Sequence, residues 1–317
     1  MKYSYLGNTG LLVSRLCFGT LTIGPLQKNL SLAAGASLIR AAIDYGVNFF
    51  DTAELYGTYS YLRRALQGID PAVHIASKSY AYTAEGMRAS LEQARRELDR
   101  DIIDVFLLHE QEGEHTLRGH REALDYLFEA RAKGIVKAVG LSTHRVAGVL
   151  AAINTEGLDV IHPLINMSGI GIGDGSRSDM EAAIYKARCL GIGVYGMKPL
   201  GGGHLSRVAW QAMDYAFKLE GLDAIAVGMQ SVAEIEANAR FVDGLDSQSD
   251  WEKAYAAASR ELFIESWCEG CGACIPVCPQ QALRLNPDQT RVVVDPGMCI
   301  FCGYCGAACP QFCIKVV

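Results

Sequence analysis

Residues 47–57 read VNFFDTAELYG. A short apolar run, Val47–Asp51, ends on a carboxylate. The stretch before it, SLIRAAIDYG (37–46), spaces its apolar residues by three and four. That is one helical stretch feeding one strand, and the unit recurs along most of the chain. Strand-like runs stand at LCFGT (16–20), VNFFD (47–51), VHIASK (73–78), IDVFLLH (103–109), VKAVGLS (136–142), DVIHPLIN (159–166), GVYGMKP (193–199) and AIAVGM (224–229). Helical stretches such as MRASLEQARRELD (87–99) lie between them. This alternation predicts right-handed crossovers and a parallel sheet. Eight such units fit a closed (β/α)8 TIM barrel better than the alternative, an open doubly wound α/β sheet.

The flanks differ from this pattern. YSYLGNTGLLVS (3–14) alternates around Asn8 and Gly10 and predicts a hairpin placed to cap the barrel floor. Beyond residue 241, VDGLDSQSD (242–250) reads as a loop and WEKAYAAASRELFIES (251–266) as one more helix. After that, cysteines dominate. The expected division is a barrel over 1–262 and a small α+β domain over 263–317.

The totals agree with one large and one small domain: 317 residues, half of them hydrophobic, with a net charge of −6. No long Lys/Arg run exists, which argues against nucleic acid and anionic membrane as partners. No apolar run reaches the ~18 residues of a membrane span. MKYSYLGNTG lacks an apolar signal core, so a cytoplasmic protein is expected. In that setting eleven cysteines do not read as a disulfide framework.

Nine of the eleven lie between 268 and 313. Cys268, Cys271, Cys274 and Cys278 have the spacing C-x2-C-x2-C-x3-C-P, and Cys299, Cys302, Cys305 and Cys309 repeat it. This run is the bacterial [4Fe–4S] pattern, in which the fourth cysteine serves the other cluster. Cluster one then takes Cys268, Cys271, Cys274 and Cys309; cluster two takes Cys299, Cys302, Cys305 and Cys278. Small residues between the ligands let the backbone wrap close to the sulfurs. Structural zinc prefers paired C-x2-C knuckles, so it fits less well. QALRLNPDQTRVVVD (281–295) predicts a hairpin between the two runs. Cys313 falls outside the spacing and reads as a buried thiol; Cys17 and Cys189 read as core residues. Together the runs resemble a two-cluster bacterial ferredoxin module.

In a barrel, chemistry collects where strands end. Strand two ends in Asp51 with Tyr56 five residues on, strand three in Lys78, strand four in His109. Singly, each has an ordinary reading: a helix cap, a rim residue, a solvated tip, a satisfied histidine. Jointly they converge at one mouth.

Over residues 3 to about 241 the chain resembles the aldo-keto reductase family. The stretches that carry the resemblance are LGNTGLLVSRLCFGT, AIDYGVNFFDTAELYG, the Lys of ASK, LLH, VGLSTH and MKPLGGG. With the cysteine-rich tail, the chain resembles that family's ferredoxin-fused branch. The resemblance implies an oxidoreductase reducing a small carbonyl compound, or oxidising an alcohol, with NAD(H) or NADP(H). Its Asp, Tyr, Lys and His tetrad falls on Asp51, Tyr56, Lys78 and His109. Tyr56 would deliver the proton, Lys78 would lower its pKa, Asp51 would hold Lys78, and His109 would orient the carbonyl.

The implied nicotinamide site takes Gly19, Thr20, Ser142, Thr143 (where Asn is usual), His162 (where Gln is common) and Asn166. It continues through Met197, in place of a stacking aromatic, with Lys198, Pro199, Leu200 and Gly201. The adenosine end falls on Gly228, Gln230, Ser231, Glu234 and Asn238. Glu234 and Glu236, with no Lys or Arg before Arg240, disfavour the 2′-phosphate of NADPH. The glycine-rich loop 167–179 reads as a lid, a phosphate nest or a plain solvent loop. Loops after strands one to four are short, which predicts an open mouth.

A difficulty follows. A nicotinamide moves two electrons as hydride, whereas a [4Fe–4S] cubane passes one. Three readings remain open: a flavin bound in the barrel, with MKPLGGG and Lys198 as its phosphate seat; a nicotinamide enzyme whose clusters are structural or sensory; or an electron-carrier subunit with a ferredoxin or flavoprotein partner.

Overall fold

A computed structural model describes residues 1–68, 72–245, 248–256, 261–299, 301 and 304–316, with the side chains of Asp250 and Ala256 not described. Two short strands, β1 (Tyr3–Tyr5) and β2 (Leu12–Ser14), form the N-terminal hairpin. There follow β3 (Leu16–Gly19), α1 (Leu32–Asp44), β4 (Phe49–Asp51), α2 (Tyr59–Leu66), β5 (His74–Ser79), α3 (Ala84–Leu98) and β6 (Ile103–Leu108). Next come α4 (Glu114–Gly119), α5 (Arg121–Ala132), β7 (Val136–Thr143), α6 (Val146–Ile153), β8 (Val160–Pro163), α7 (Arg177–Cys189) and β9 (Gly193–Met197). Then α8 (Ala209–Lys218), β10 (Ala224–Gly228), α9 (Val232–Asp243) and α10 (Gln248–Ala256) complete the large unit. The tail carries β11 (Leu262–Ile264), β12 (Leu283–Leu285), β13 (Val292–Val294), α11 (Tyr304–Ala307) and β14 (Ile314–Val316).

Strands β3 to β10 close into a parallel barrel, with β10 paired to β3 in register Val227 with Phe18. Side chains alternate between two cores, as a two-residue period demands. Cys17, Phe49, Ala76, Val105, Leu107, Ala138, Val160 and Tyr195 fill the barrel interior. Phe18, Phe50, Ile75, Phe106, Leu108 and Val139 face the helices. Helices start on side-chain caps where the sequence supplies them: Ser31 accepts from the Ala34 N–H at 3.2 Å and Thr83 from the Gly86 N–H at 3.1 Å.

The hairpin does cap the floor. Leu6, Leu11 and Val13 join the interior cluster, and Gly7 N–H donates to Asp223 at the foot of β10 at 3.0 Å. Gly7 has φ +51, and a Cβ there would lie 2.2 Å from the Gly193 nitrogen, so only glycine fits this close approach.

Three expectations are corrected. Residues 262–264 are strand, not helix: β11 pairs antiparallel with β14, a partner fifty residues away that no local pattern announces. The expected division at 262/263 therefore falls inside a strand. Residues 242–250 are not one loop, since α9 runs to Asp243, Gly244 caps it at φ +73, and α10 begins at Gln248. Residues 257–260 of the expected helix lie outside the described residues, as do residues 246–247. Cys189, expected in the core, is exposed at the end of α7, while Cys17 and Cys313 are buried as expected. The hairpin between the cysteine runs forms as β12 and β13. No helix among the described residues is long and apolar enough to cross a membrane.

Candidate active site and cluster-binding unit

The interior parity of the strands carries the site upward. Asp51 follows Phe49 by two, Lys78 follows Ala76 by two, and His109 follows Leu107 by two, so all three point into the barrel at its carboxyl end. Lys78 Nζ donates to Asp51 Oδ2 at 2.7 Å and to the Thr52 carbonyl at 2.8 Å; Lys78 is 1% exposed and Asp51 4%. Tyr195, which the strand-end reading did not single out, donates its hydroxyl to Asp51 Oδ1 at 3.0 Å. His162 stacks on the Tyr195 ring at 3.8 Å, with its Nε2 3.6 Å from the same carboxylate. Asp51 is the hub of the buried network.

Tyr56 sits on the short turn Glu54–Tyr56, pinned by Glu54, whose carboxylate accepts from Ser79 at 2.6 Å and Ser90 at 2.9 Å. The Lys78 ammonium lies over the Tyr56 ring, 4.8 Å from its centroid, and His109 meets the ring edge-on at 5.8 Å. His109 is stacked on Tyr80 at 4.2 Å. Its Nδ1 is buried without a hydrogen-bond partner among the described residues.

One expectation about Tyr56 is reversed. Lys78 does not pull its phenol down. Burial, then the Asp51 and Glu110 charges, push the Tyr56 hydroxyl well above its ordinary range. The Lys78 ammonium is hydrogen-bonded to Asp51 and the Thr52 carbonyl, and for the phenol the cost of burial outweighs its presence over the ring. Burial, with Lys78 adding, holds His109 well below the usual histidine range, and burial lowers His162 to about 4. At neutral pH the site presents a protonated phenol and two neutral imidazoles.

A cleft runs from Asp51, Tyr56 and His162 past Met197–Leu200 to Gly228, Gln230 and Glu234, with Gly19 on its wall. Gln27 also lines it, and its Oε1 is buried without a partner among the described residues. Nothing in the motif reading pointed to Gln27. The cleft thus reaches from the tetrad to the N-terminus of α9. Other expected contacts are engaged elsewhere. Thr20 donates to the Asp51 carbonyl at 3.0 Å, Ser142 accepts from the Glu110 N–H at 2.9 Å, and Thr143 accepts from the Arg145 N–H at 2.9 Å. Asn166 folds its own loop, accepting from Ile170 N–H at 3.0 Å. Ser231 caps α9, and Asn238 is held by Tyr255 at 2.8 Å. Glu234 takes the Gln230 N–H at 2.7 Å, so a carboxylate already occupies the start of α9.

The expected phosphate seat has another tenant. Gly201, Gly202 and Gly203 all have positive φ, and β14 rests on them: Val316 N–H donates to the Gly202 carbonyl at 2.8 Å. A Cβ on Gly203 would lie 1.9 Å from the Val316 carbonyl oxygen. The loop 167–179 packs against the tail and α6. Gly171 would place a Cβ 2.9 Å from Phe312, and Asp174 caps α6 through the Val146 N–H at 2.6 Å. The expected open mouth is instead walled on one side by the tail, with Phe312 edge-on to His144 at 6.2 Å.

In the tail, burial raises Cys274 to about 11, and the charges of Cys309, Cys268 and Cys271 act on it in the same direction, so the other three cysteines expected for cluster one lie within electrostatic range of Cys274. Among the described residues no three of these side chains are close enough to hold a single metal ion. Backbone N–H groups approach the sulfurs: Val292 to Cys268 at 3.5 Å, Ala282 to Cys278 at 3.4 Å and Cys313 to Cys309 at 3.4 Å. Soft thiolates ringed by amide donors suit an iron–sulfur cluster. Cys278 and Cys299 are half-buried and Cys305 is buried, while Cys302 lies outside the described residues.

Comparison with known proteins follows this division. The model of the aldo/keto reductase family matches residues 15–211, and that of the 4Fe-4S dicluster domain matches residues 267–313. An L-galactose dehydrogenase of Arabidopsis thaliana is 24% identical over 76% of this chain and 88% of its own length. A 6-dehydroglucose reductase of Novosphingobium aromaticivorans is 24% identical over 82% and 96%. Among solved structures, an aldo-keto reductase from Pseudomonas aeruginosa superposes with TM-score 0.64 at 26% identity, covering 77% of this chain and 94% of that one.

Proposed function

Since the chain belongs to the aldo/keto reductase family and carries a 4Fe-4S dicluster domain, we propose that it reduces a small carbonyl compound with a nicotinamide cofactor, Tyr56 giving the proton. The observation that carries this reading is that Asp51 and Tyr56, backed by Lys78 and His109, line the head of a cleft long enough to reach Gln230 and Glu234. When bound, the reduced nicotinamide supplies the hydride.

The chain's residues do the rest. His109, kept neutral, orients the carbonyl oxygen beside the Tyr56 hydroxyl. Tyr56 is held protonated, which suits a donor to developing alkoxide and makes it a scarce base for the reverse direction. Asp51 fixes Lys78, whose ammonium then stabilises negative charge near the phenol. Glu234, at the start of α9, occupies the place that would bind a 2′-phosphate, which favours NADH over NADPH.

The test is steady-state reduction of a panel of small aldehydes and ketones by NADH and by NADPH with anaerobically purified protein. Tyr56→Phe is expected to lose roughly 10²- to 10⁴-fold in rate, the usual worth of a general acid, while keeping its iron–sulfur absorption. The wild-type kcat should show no ionisation of Tyr56 or His109 from about pH 7 to about pH 9, because Tyr56 titrates above this window and His109 below it, whereas KM should rise through it as Lys198, lowered by burial to about 8, loses its proton. A Tyr56→Phe rate within a few-fold of wild type, or tighter NADPH than NADH, overturns the corresponding part of the reading.

A further inference from the structure

The wall of the cleft is not made by the barrel alone. Strand β14 brings Lys315 and Val316 to it from the cysteine-rich unit. The strand is fixed there by the Val316 N–H to Gly202 bond and by His204 Nε2, which donates to the Ile314 carbonyl at 2.8 Å. Lys315 is 5% exposed. Its ammonium lies over the Phe312 ring, 3.3 Å from the centroid, and donates to the Phe312 carbonyl. Lys198, from the barrel, reaches the same ring at 4.9 Å and donates to His144 at 2.9 Å. Two lysines from two units thus share one aromatic ring at the edge of one cleft.

Neither has a carboxylate within 4.0 Å among the described residues; Glu110 and Glu265 act on Lys198, and Glu265 with the Cys309 and Cys313 sulfurs on Lys315, only at longer range, and burial lowers Lys198 to about 8 and, with Lys198 adding, Lys315 well below its ordinary range. Burying cations without a paired anion is costly. An aromatic face and neutral acceptors offset only part of that cost. What completes the arrangement is an anion with several acceptor oxygens, placed in the cleft.

We infer that Lys198 and Lys315 form a phosphate subsite shared between barrel and cluster unit, so that the cluster unit takes part directly in ligand binding. This rests on the cleft being the ligand site proposed above. The phosphate belongs either to the diphosphate of the dinucleotide or to a phosphorylated carbonyl substrate. In both cases Lys315, which lies outside the stretch matched by the barrel family, is a binding residue contributed by the tail.

The experiment uses the full-length protein with its clusters under argon. Dissociation constants are measured for NADH, for reduced nicotinamide riboside (the same ring without phosphate) and for inorganic pyrophosphate. KM is measured for glyceraldehyde and for glyceraldehyde 3-phosphate. Wild type, Lys315→Met and Lys315→Arg are compared. Lys315→Met is expected to weaken pyrophosphate by roughly 10- to 100-fold, the usual effect of losing a hydrogen bond to a charged group. It should leave the riboside unchanged, and Lys315→Arg should restore most of the affinity. NADH weakened in parallel assigns the subsite to the cofactor; an unchanged NADH with a raised KM for the phosphorylated aldehyde alone assigns it to the substrate. If wild type binds no NADH but Lys315→Met still weakens pyrophosphate, the nicotinamide reading falls and the subsite stands. Equal pyrophosphate binding by wild type and Lys315→Met, or equal loss for the riboside, overturns the subsite.

Discussion

Asp51 shows how much one residue organises here. It accepts from Lys78 and Tyr195 and faces His162, all inside the barrel where water is excluded. Burial lowers His162 to about 4, with the Lys78 charge adding and Asp51 opposing. In the unfolded chain the same imidazole titrates near ~6.5. Between those pH values the unfolded chain binds a proton that the folded chain refuses. Stability contributed by neutral His162 is therefore fully present above about pH 6.5 and is lost as pH falls toward 4, at up to ~1.4 kcal/mol per pH unit. Urea midpoints measured from pH 7 to pH 5 should fall, and His162→Gln should fall less steeply; identical slopes would reject the assignment. At this scale the sequence was informative where strand parity applied. Asp51, Lys78 and His109 could be placed because each sits two residues beyond an interior apolar residue. Tyr195, Gln27 and Lys315 could not, because their partners are fixed by tertiary approach, not by spacing.

Among the elements, the barrel strands were readable because each is a short apolar run bounded by helical spacing, a signal contained in a dozen residues. Strand β11 was not, because Leu262–Ile264 becomes a strand only through β14. The glycine run after β9 was misread for the same reason. Its conformation suits a phosphate, yet its occupant is another strand of the same chain. Gly203 is the most exacting position, with φ +88 and the Val316 carbonyl oxygen 1.9 Å from any Cβ. Gly203→Ala should lift β14 from the barrel and speed the bleaching of cluster absorption in air several-fold. Gly244→Ala is the matched control: it carries the same left-handed backbone cost at φ +73 but meets nothing within 4 Å. Equal bleaching in the two variants would show that backbone strain, not docking of β14, sets cluster exposure.

Across the whole molecule, the cleft and the cluster unit share a wall, and shared walls impose linkage. Cysteine ligands at 268–309 hold the tail in shape; β14 begins at Ile314, five residues beyond Cys309 and one beyond Cys313, and carries that shape to Lys315 and the Gly201–Gly203 seat. Docked β14 completes the cleft, so a ligand gripped by Lys315 binds the docked form better than the undocked form. By thermodynamic reciprocity it must then stabilise docking, and with it the cysteine scaffold, by the same factor. The hydride and single-electron chemistries need not meet for this coupling to operate; it requires only that both sites favour one position of β14. Saturating pyrophosphate should therefore slow the loss of cluster iron to an anaerobic chelator, followed as decay of the cluster absorption. The protection should shrink in Lys315→Met and vanish in Gly203→Ala. Chelation at one rate with and without saturating pyrophosphate in the wild type would show that the two sites, though they touch, are energetically independent.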